Sequence, residues 1–380
     1  MVAIDSYAGG DGRLSPLSTP SATRAVLTAH GIGTKYTLGQ NFLVNDDVLK
    51  KIVALAEVGE NDRVLEVGPG IGTLTIALLK HAASVIAIER DPDLPAVLAD
   101  TLHPWREKFA LIEKDALDVT RDDIVAAMAE IGGDTGYPDR ASSAANETAQ
   151  WAVSQSEDCL SESGYPVAPP QEDLQLSLPS KLVANLPYAV AATVVLDYFE
   201  SFPFLDSATI MVQKEVADRM AAAVGTKNYG AYTVKLGLYA EPVGRFAVGP
   251  GNFFPPPRVD SAVIRLNRRV LLMADGAPAS PEVIAAAALM ADAAFTNRRK
   301  TIANSCKTYF SGRGPLSLGI AGSSAREGAP NIALPDGAAI AERLAAIFDA
   351  ATIDPRRRGE ILTQQEFLAL GAALLKVTAA

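Results

Sequence analysis

The segment Glu66-Val67-Gly68-Pro69-Gly70-Ile71-Gly72-Thr73 sets three glycines at alternate positions between an apolar run and a helical one. A glycine-rich strand-to-helix turn lets main chain approach a nucleotide-like ligand with no Cβ in the way. Packing of helix against strand also asks for glycine, so the turn draws its meaning from its neighbours. Glu89 closes the next apolar run seventeen positions after Gly72, where a carboxylate can accept hydrogen bonds from both hydroxyls of a ribose. An adenosine-containing cofactor follows from the pair. The run after that ends in Lys114-Asp115-Ala116. Asp115 either takes a hydrogen bond from an adenine amino group or caps its own loop.

Asn185-Leu186-Pro187-Tyr188 is the most specific signal in the chain. Methylating adenine at its exocyclic amine is awkward, because the N6 lone pair is delocalised into the ring and the base is normally stacked. A site for that reaction needs acceptors that hold the N6 hydrogens and turn the lone pair toward a methyl donor, plus a flat surface for the extruded base. The Asn185 side-chain oxygen and the Leu186 carbonyl are the candidate acceptors. Pro187 fixes the turn and removes a competing N–H, and Tyr188 offers the stacking face. A strand-ending turn would use Asn and Pro without needing the aromatic.

The elements that must carry these residues are legible from periodicity. An N-cap at Asn45 opens a helix with Val48, Leu49, Ile52, Val53 and Leu55 on one face. Buried strands are predicted over Val64 to Val67, Val85 to Ile88, Ala110 to Ile112, Lys181 to Ala184 and Ala208 to Val212. Helices are predicted over 73–80, 92–102, 121–130, 190–200 and 214–223. Such alternation means an α/β fold with a mostly parallel sheet covered on both faces. Tyr232 to Tyr239, Arg245 to Val248 and Ser261 to Leu266 read as further strands forming an antiparallel edge. After the linker Gly276 to Pro281, only helical periods occur, at 282–294, 297–311, 337–351 and 363–376, the last opened by a Thr363/Glu366 capping box. The expected organisation is a mobile leader over 1–25, a catalytic domain over 26–275 and a smaller all-helical domain over 282–380.

Composition narrows the partners. The chain has 380 residues, 48% of them hydrophobic, enough for two domains with real cores. Its longest nearly unbroken apolar run, Val283 to Ala291, is too short to span a membrane, and its first thirty residues hold no signal-peptide core. Cys159 and Cys306 lie far apart and the three histidines are scattered, which removes support for a disulfide framework, a metal site or a Cys/His nucleophile and favours a cytoplasmic location. The net charge of −10 argues against nucleic acid until it is located. Residues 134–173 hold eight acidic residues and one basic one, so −7 of the total falls in a Ser-, Ala- and Gly-rich insertion spanning about 127–178. From Asp206 to Phe310 the sign reverses, with thirteen Lys/Arg against eight Asp/Glu, bunched at Arg265, Arg268 and Arg269 and at Arg298, Arg299, Lys300 and Lys307. Bunching alone reads as a solvated basic face.

Five motifs in order resemble those of the S-adenosylmethionine-dependent rRNA adenine N6,N6-dimethyltransferases, most closely the bacterial enzymes that modify 16S rRNA. They are Leu38 to Leu43 (LGQNFL), Glu66 to Gly72, Asn185 to Tyr188, Asn252 to Ser261 (NFFPPPRVDS) and Ala294 to Thr301 (AFTNRRKT). The resemblance covers most of residues 35–310 outside the acidic insertion. It implies a Rossmann-like methyltransferase sheet, S-adenosylmethionine as cosubstrate without a metal, and a 16S rRNA partner within the small subunit or its precursor, met by a monomer. By the same resemblance Asn41 and Leu43 touch the cofactor from an N-terminal arm, Gly68, Gly70 and Gly72 lie beneath its methionine part, and Glu89 and Asp115 hold ribose and adenine. Asn185 stands by the transferred methyl, and Phe253 faces the target base opposite Tyr188. Without the resemblance, Phe253 and Phe254 read as core aromatics. Arg298, Arg299 and Lys300 are implied RNA contacts, supported by Arg265, Arg268 and Lys307. The long insertion, the loop at 312–337 and the acidic balance depart from the family and bear on the size of the RNA footprint.

Three rival readings use part of the same pattern. A nicotinamide-dependent dehydrogenase would share the glycine turn and Glu89, yet it leaves Asn185 to Tyr188 and the Phe253 segment unexplained. A 23S rRNA methyltransferase would share all of the chemistry. A non-catalytic RNA-binding assembly factor would tolerate loss of Asn185 or Tyr188, and both are present.

Overall fold

The computed structural model describes residues 12–33, 40–131, 178–313, 316–317, 331–332 and 338–379. The acidic insertion lies outside the described residues apart from its edges, as does most of the 312–337 loop. Seven strands form one sheet: β2 (Arg63–Val67), β3 (Ser84–Ile88), β4 (Phe109–Ile112), β5 (Lys181–Asn185), β6 (Ser207–Gln213), β7 (Ala240–Val248) and β9 (Ser261–Arg268), in the order β4-β3-β2-β5-β6-β9-β7. The first five run parallel, and β9 is antiparallel to both β6 and β7. The chain therefore leaves β2 toward β3 on one side and returns as β5 on the other. That reversal opens a crevice at the carboxyl ends of β2 and β5.

The inner strands are apolar on both faces because helices cover both. On one face α5 (Arg121–Glu130) and α6 (Ala191–Ser201) pack Ile124, Val194, Val195 and Phe199 against Leu65, Ile86 and Ile210. On the other, α2 (Asp46–Ala56) and α3 (Thr73–Leu79) bring Leu49, Ile52, Ile76 and Leu78 to Val64, Val85, Val183 and Val263. The predicted Asn45 cap forms, its side chain accepting from the Asp47 and Val48 N–H groups.

The second half of the leader packs on the fold: Leu17 and Thr23 are buried, α1 (Pro20–Ala29) begins within it, and the Asp46 carboxylate accepts from the Leu14 and Ser15 N–H groups. Residues 1–11 lie outside the described residues. Tyr232 to Tyr239 is a helix, α8 (Ala231–Gly237), rather than a strand. Its β-branched residues gave the strand signal, but Thr233 caps the Gly230 N–H and Val234 is buried against helices from the C-terminal part of the chain, so tertiary packing overrides propensity. The strand before α8, β6, is followed by α7 (Lys214–Met220), so the antiparallel edge comprises only β7 and β9.

The C-terminal helices α9 (Pro281–Phe295), α10 (Ile302–Phe310), α11 (Ala338–Ala350) and α12 (Gln364–Ala379) form their own core. Residues 297–300, predicted helical, are a turn, since Thr301 starts α10 by accepting from the Asn304 N–H. The Thr363/Glu366 capping box is formed in both directions. The core is shared with the sheet-bearing part: Tyr229 is buried within it and donates from its hydroxyl to the Leu362 carbonyl at 2.7 Å. Lys235 on α8 pairs with Asp292 on α9 at 3.0 Å.

Candidate active site

A cleft of about 480 Å³ opens at the carboxyl ends of β2, β3, β4 and β5, and Gly68, Gly70, Glu89, Asp115, Asn185 and Tyr188 all border it. Residues 40–43 form one wall. They are held there by a two-residue strand, β1 (Phe42–Leu43), that pairs antiparallel with β8 (Phe253–Phe254), and by the Gln40 amide donating to buried Asp91 at 2.7 Å.

The half of the cleft above β2 and β3 suits a cationic, ribose-bearing ligand. Gly68 and Gly70 have φ of +70° and +60°, and a Cβ on Gly70 would approach the Phe42 ring at 3.1 Å. The turn therefore needs glycine for backbone conformation and for space. Gly72 differs. Its φ is +88°, but a Cβ there would meet Leu102 and Thr101, and the residue does not border the cleft. Its part is to seat α3 against the helix α4 (Pro95–Thr101) and its flank.

Glu89 is buried at the end of β3, and its Oε1 accepts from the Arg90 and Asp91 N–H groups at 2.9 and 2.8 Å. Burial raises its pKa, against the lowering effect of those donors. Asp115 caps its own loop, its Oδ1 accepting from the Leu117 N–H at 3.1 Å, and it also borders the cleft. That bond and the Arg90 guanidinium 2.8 Å from Oδ2 hold its pKa below the usual carboxylate range.

Sequence reasoning gave Glu66 no role of its own. It is 1% exposed in the middle of β2, borders the cleft, and its Oε2 has no hydrogen-bond partner among the described residues. Burial pushes its pKa up to about 8 against the lowering effect of the Thr75 hydroxyl, with the Glu89 carboxylate as a lesser contributor to the rise. A buried acceptor facing a cavity is a site for a donor, and a cationic donor would return the group to its charged form. The available signal was a carboxylate inside an otherwise apolar strand, Arg63-Val-Leu-Glu-Val67.

The half above β5 and β6 carries Asn185 to Tyr188. The Asn185 amide nitrogen donates to the Asn41 carbonyl at 3.1 Å, which fixes the carboxamide and turns its oxygen away from the arm. Leu186 is buried, with its N–H donating to the Met211 carbonyl at 3.1 Å. Tyr188 is half-buried, and its hydroxyl lies 2.6 Å from Ser261 Oγ. Phe253 does not border the cleft. That ring is 3% exposed, opposite Leu43 in the β1–β8 pair and packed in the core, which matches the reading made without the resemblance. Phe254, half-buried, carries the Arg24 guanidinium 5.1 Å from its ring centroid.

Half of the expected RNA contacts are committed to the fold. Arg268 donates to the carbonyls of Phe199, Phe202 and Leu205, tying down the end of α6 and the segment that leaves it. Arg265 is 11% exposed, pairs with Glu57 and donates to the Leu55 carbonyl. Arg298 pairs with Glu360 and donates to the carbonyls of Thr226 and Lys227. Arg298, Arg299, Lys300 and Lys307 are all exposed. No described helix is long and apolar enough to cross a membrane.

Comparison with known proteins bears on the same features. The profile of a family described as ribosomal RNA adenine dimethylase matches residues 33–321. Ribosomal RNA small subunit methyltransferase A of Geobacillus sp. (strain WCH70) is 33% identical over 361 residues, covering 95% of this chain and 98% of the relative. The protein of that name from Streptomyces griseus is 35% identical over 355 residues, covering 92% and 93%. Among solved structures, a dimethyladenosine transferase from Plasmodium falciparum aligns with a TM-score of 0.56 at 20% identity, covering 88% of this chain and 98% of that one. The 23S rRNA methyltransferase ErmE aligns at 0.50 and 21%, covering 88% and 99%. At those identities the structural likeness is one of fold.

Proposed function

The chain belongs to the ribosomal RNA adenine dimethylase family, and from that premise we propose that it methylates N6 of two adjacent adenosines near the 3′ end of 16S rRNA, giving N6,N6-dimethyladenosine during small-subunit biogenesis in the cytoplasm. The observation that carries this reading is the joining, in one cleft, of a carboxylate-rimmed half and the Asn185–Tyr188 turn. The orphaned Glu66 oxygen and the Gly68–Gly70 cradle fit S-adenosylmethionine. Glu66 would meet its ammonium, Glu89 its ribose hydroxyls and Asp115 its adenine, with Asn41 and Leu43 closing the arm side. When bound, the cosubstrate supplies an electrophilic methyl group on a sulfonium.

The protein's own contribution is placement. The Asn185 oxygen and the Leu186 carbonyl would accept the N6 hydrogens and direct the nitrogen lone pair toward the methyl, while Tyr188 would hold the extruded base flat. The amine becomes acidic only as its new bond forms, so its proton can pass to water. Oriented acceptors facing the growing positive charge at N6 are the catalytic element. The exposed cations Arg299, Lys300 and Lys307 would grip the RNA backbone next to the cleft-bearing part, working as a monomer, so that binding follows the local basic face rather than the net charge. Transfer of labelled methyl groups to small-subunit particles lacking the modification tests the proposal. Stoichiometry approaching four methyls per particle supports it, and equal or better transfer to 23S rRNA would overturn the 16S assignment.

A further inference from the structure

The Asn252–Ser261 motif is left without a task once Phe253 is found in the core. Its last residue supplies one. Ser261 begins β9 and is fully buried, followed by Ala262, Val263 and Ile264, all buried and apolar. A hydroxyl in such surroundings costs free energy unless it is hydrogen-bonded. Among the described residues its side-chain partner is the hydroxyl of Tyr188, at 2.6 Å. The serine main chain is held from both sides, paired with Gln213 of β6 and Val248 of β7, so the hydroxyl stands on a fixed point of the antiparallel edge. Tyr188, by contrast, sits on the turn between β5 and α6.

We propose that Ser261 is a positioning residue for methyl transfer, setting the plane of the Tyr188 ring from behind through the hydroxyl–hydroxyl bond. Ser261 does not border the cleft and so would not touch the base itself. The inference rests on the proposed function, because it assigns the ring its stacking task. It also gives the reactive turn two anchors of separate origin: Asn185 is tied to the N-terminal arm through the Asn41 carbonyl, and Tyr188 to the far edge of the sheet. Ring orientation is then built into the sheet before the RNA arrives, a form of preorganisation that a stacking surface on a free loop would lack.

The test is a cycle of Ser261→Ala, Tyr188→Phe and the double variant in the full-length enzyme. It measures kcat and KM for small-subunit particles, with S-adenosylmethionine affinity by calorimetry. Each single change removes one hydroxyl from a part-buried pair and should lower kcat by roughly three- to tenfold, the range of one such hydrogen bond. The double variant should be no slower than the worse single, while KM for the particle and cofactor affinity stay within about twofold. A purely structural serine would instead act through stability and leave kcat at the wild-type value. Wild-type kcat in both single variants, or losses that multiply in the double, would overturn the positioning role. A wild-type enzyme that binds S-adenosylmethionine and transfers nothing to any particle would overturn the proposed function itself.

Discussion

Replacing Glu66 by Gln should make the ligand-free protein more stable in mild alkali while weakening its hold on the cosubstrate. The carboxyl is fully buried, and its pKa stands at about 8 against an ordinary 4.5. Below pH 4.5 folded and unfolded chains both keep the proton, so the group does not affect stability. Between 4.5 and 8 the unfolded chain gives up its proton and the folded one retains it, so unfolding becomes easier with each step in pH; above 8 the effect levels off. At about 1.4 kcal/mol per pH unit the full displacement corresponds to roughly 5 kcal/mol, an upper bound because the glutamine amide is itself costly to bury. Glu66→Gln keeps the shape and abolishes the ionisation. Melting temperatures of the two proteins should coincide near pH 4.5 and diverge by roughly 5–10 °C at pH 8.5, with Gln the higher. Cofactor affinity should fall about tenfold or more, since a bond to a charged partner is worth roughly 1.5–3 kcal/mol. Melting curves measured calorimetrically from pH 4.5 to 9 that stayed parallel would refute the assignment of Glu66 as a carboxylate stored out of its charged form for a cationic ligand.

Glu89→Ala should weaken S-adenosylmethionine binding by roughly tenfold or more, because a ribose would lose charge-assisted bonds in a partly desolvated cleft; unchanged affinity by calorimetry would remove the ribose role. Gly72→Ala should destabilise the fold by roughly 1–3 kcal/mol, through left-handed backbone and contact with Leu102, and spare cofactor affinity, whereas Gly70→Ala should press on Phe42 and reduce affinity too. Calorimetric binding beside thermal melts separates the two glycines. Changing Arg299 and Lys300 together to Glu should flatten the salt dependence of RNA binding with the melting temperature preserved. Arg268→Ala should do the reverse, costing roughly 2–4 kcal/mol of stability by removing three hydrogen bonds to main-chain carbonyls.

The parallel core was legible because its strands are buried on both faces and so read as short apolar runs between turn residues. Glu89, Asp115 and Asn185 were legible for a related reason: polar residues ending such runs fall on one rim of the sheet. The tasks of the arginines were not, since Arg268 and Arg299 look alike in the chain and differ only in whether carbonyls happen to lie beside them. The β-branched sequence of residues 232–236 misled because its partners come from helices some fifty or more residues later. Phe253 misled through its company: an aromatic ahead of prolines suits a base-facing loop, whereas its pairing with Leu43 depends on an arm two hundred residues earlier.

The lodging of Tyr229 in the core of the C-terminal helices, with its hydroxyl on the Leu362 carbonyl, bears on how such an enzyme can be retargeted. A chimera exchanging everything after residue 280 for another helical module would bare that ring, strip Val234 of its cover and leave Lys235 without Asp292. The seam between the sheet-bearing part and the C-terminal helices is thus built from side chains of both and resists cutting at the linker. New RNA specificity in this architecture has to be written on its outer surface, residue by residue, with the helical scaffold left in place.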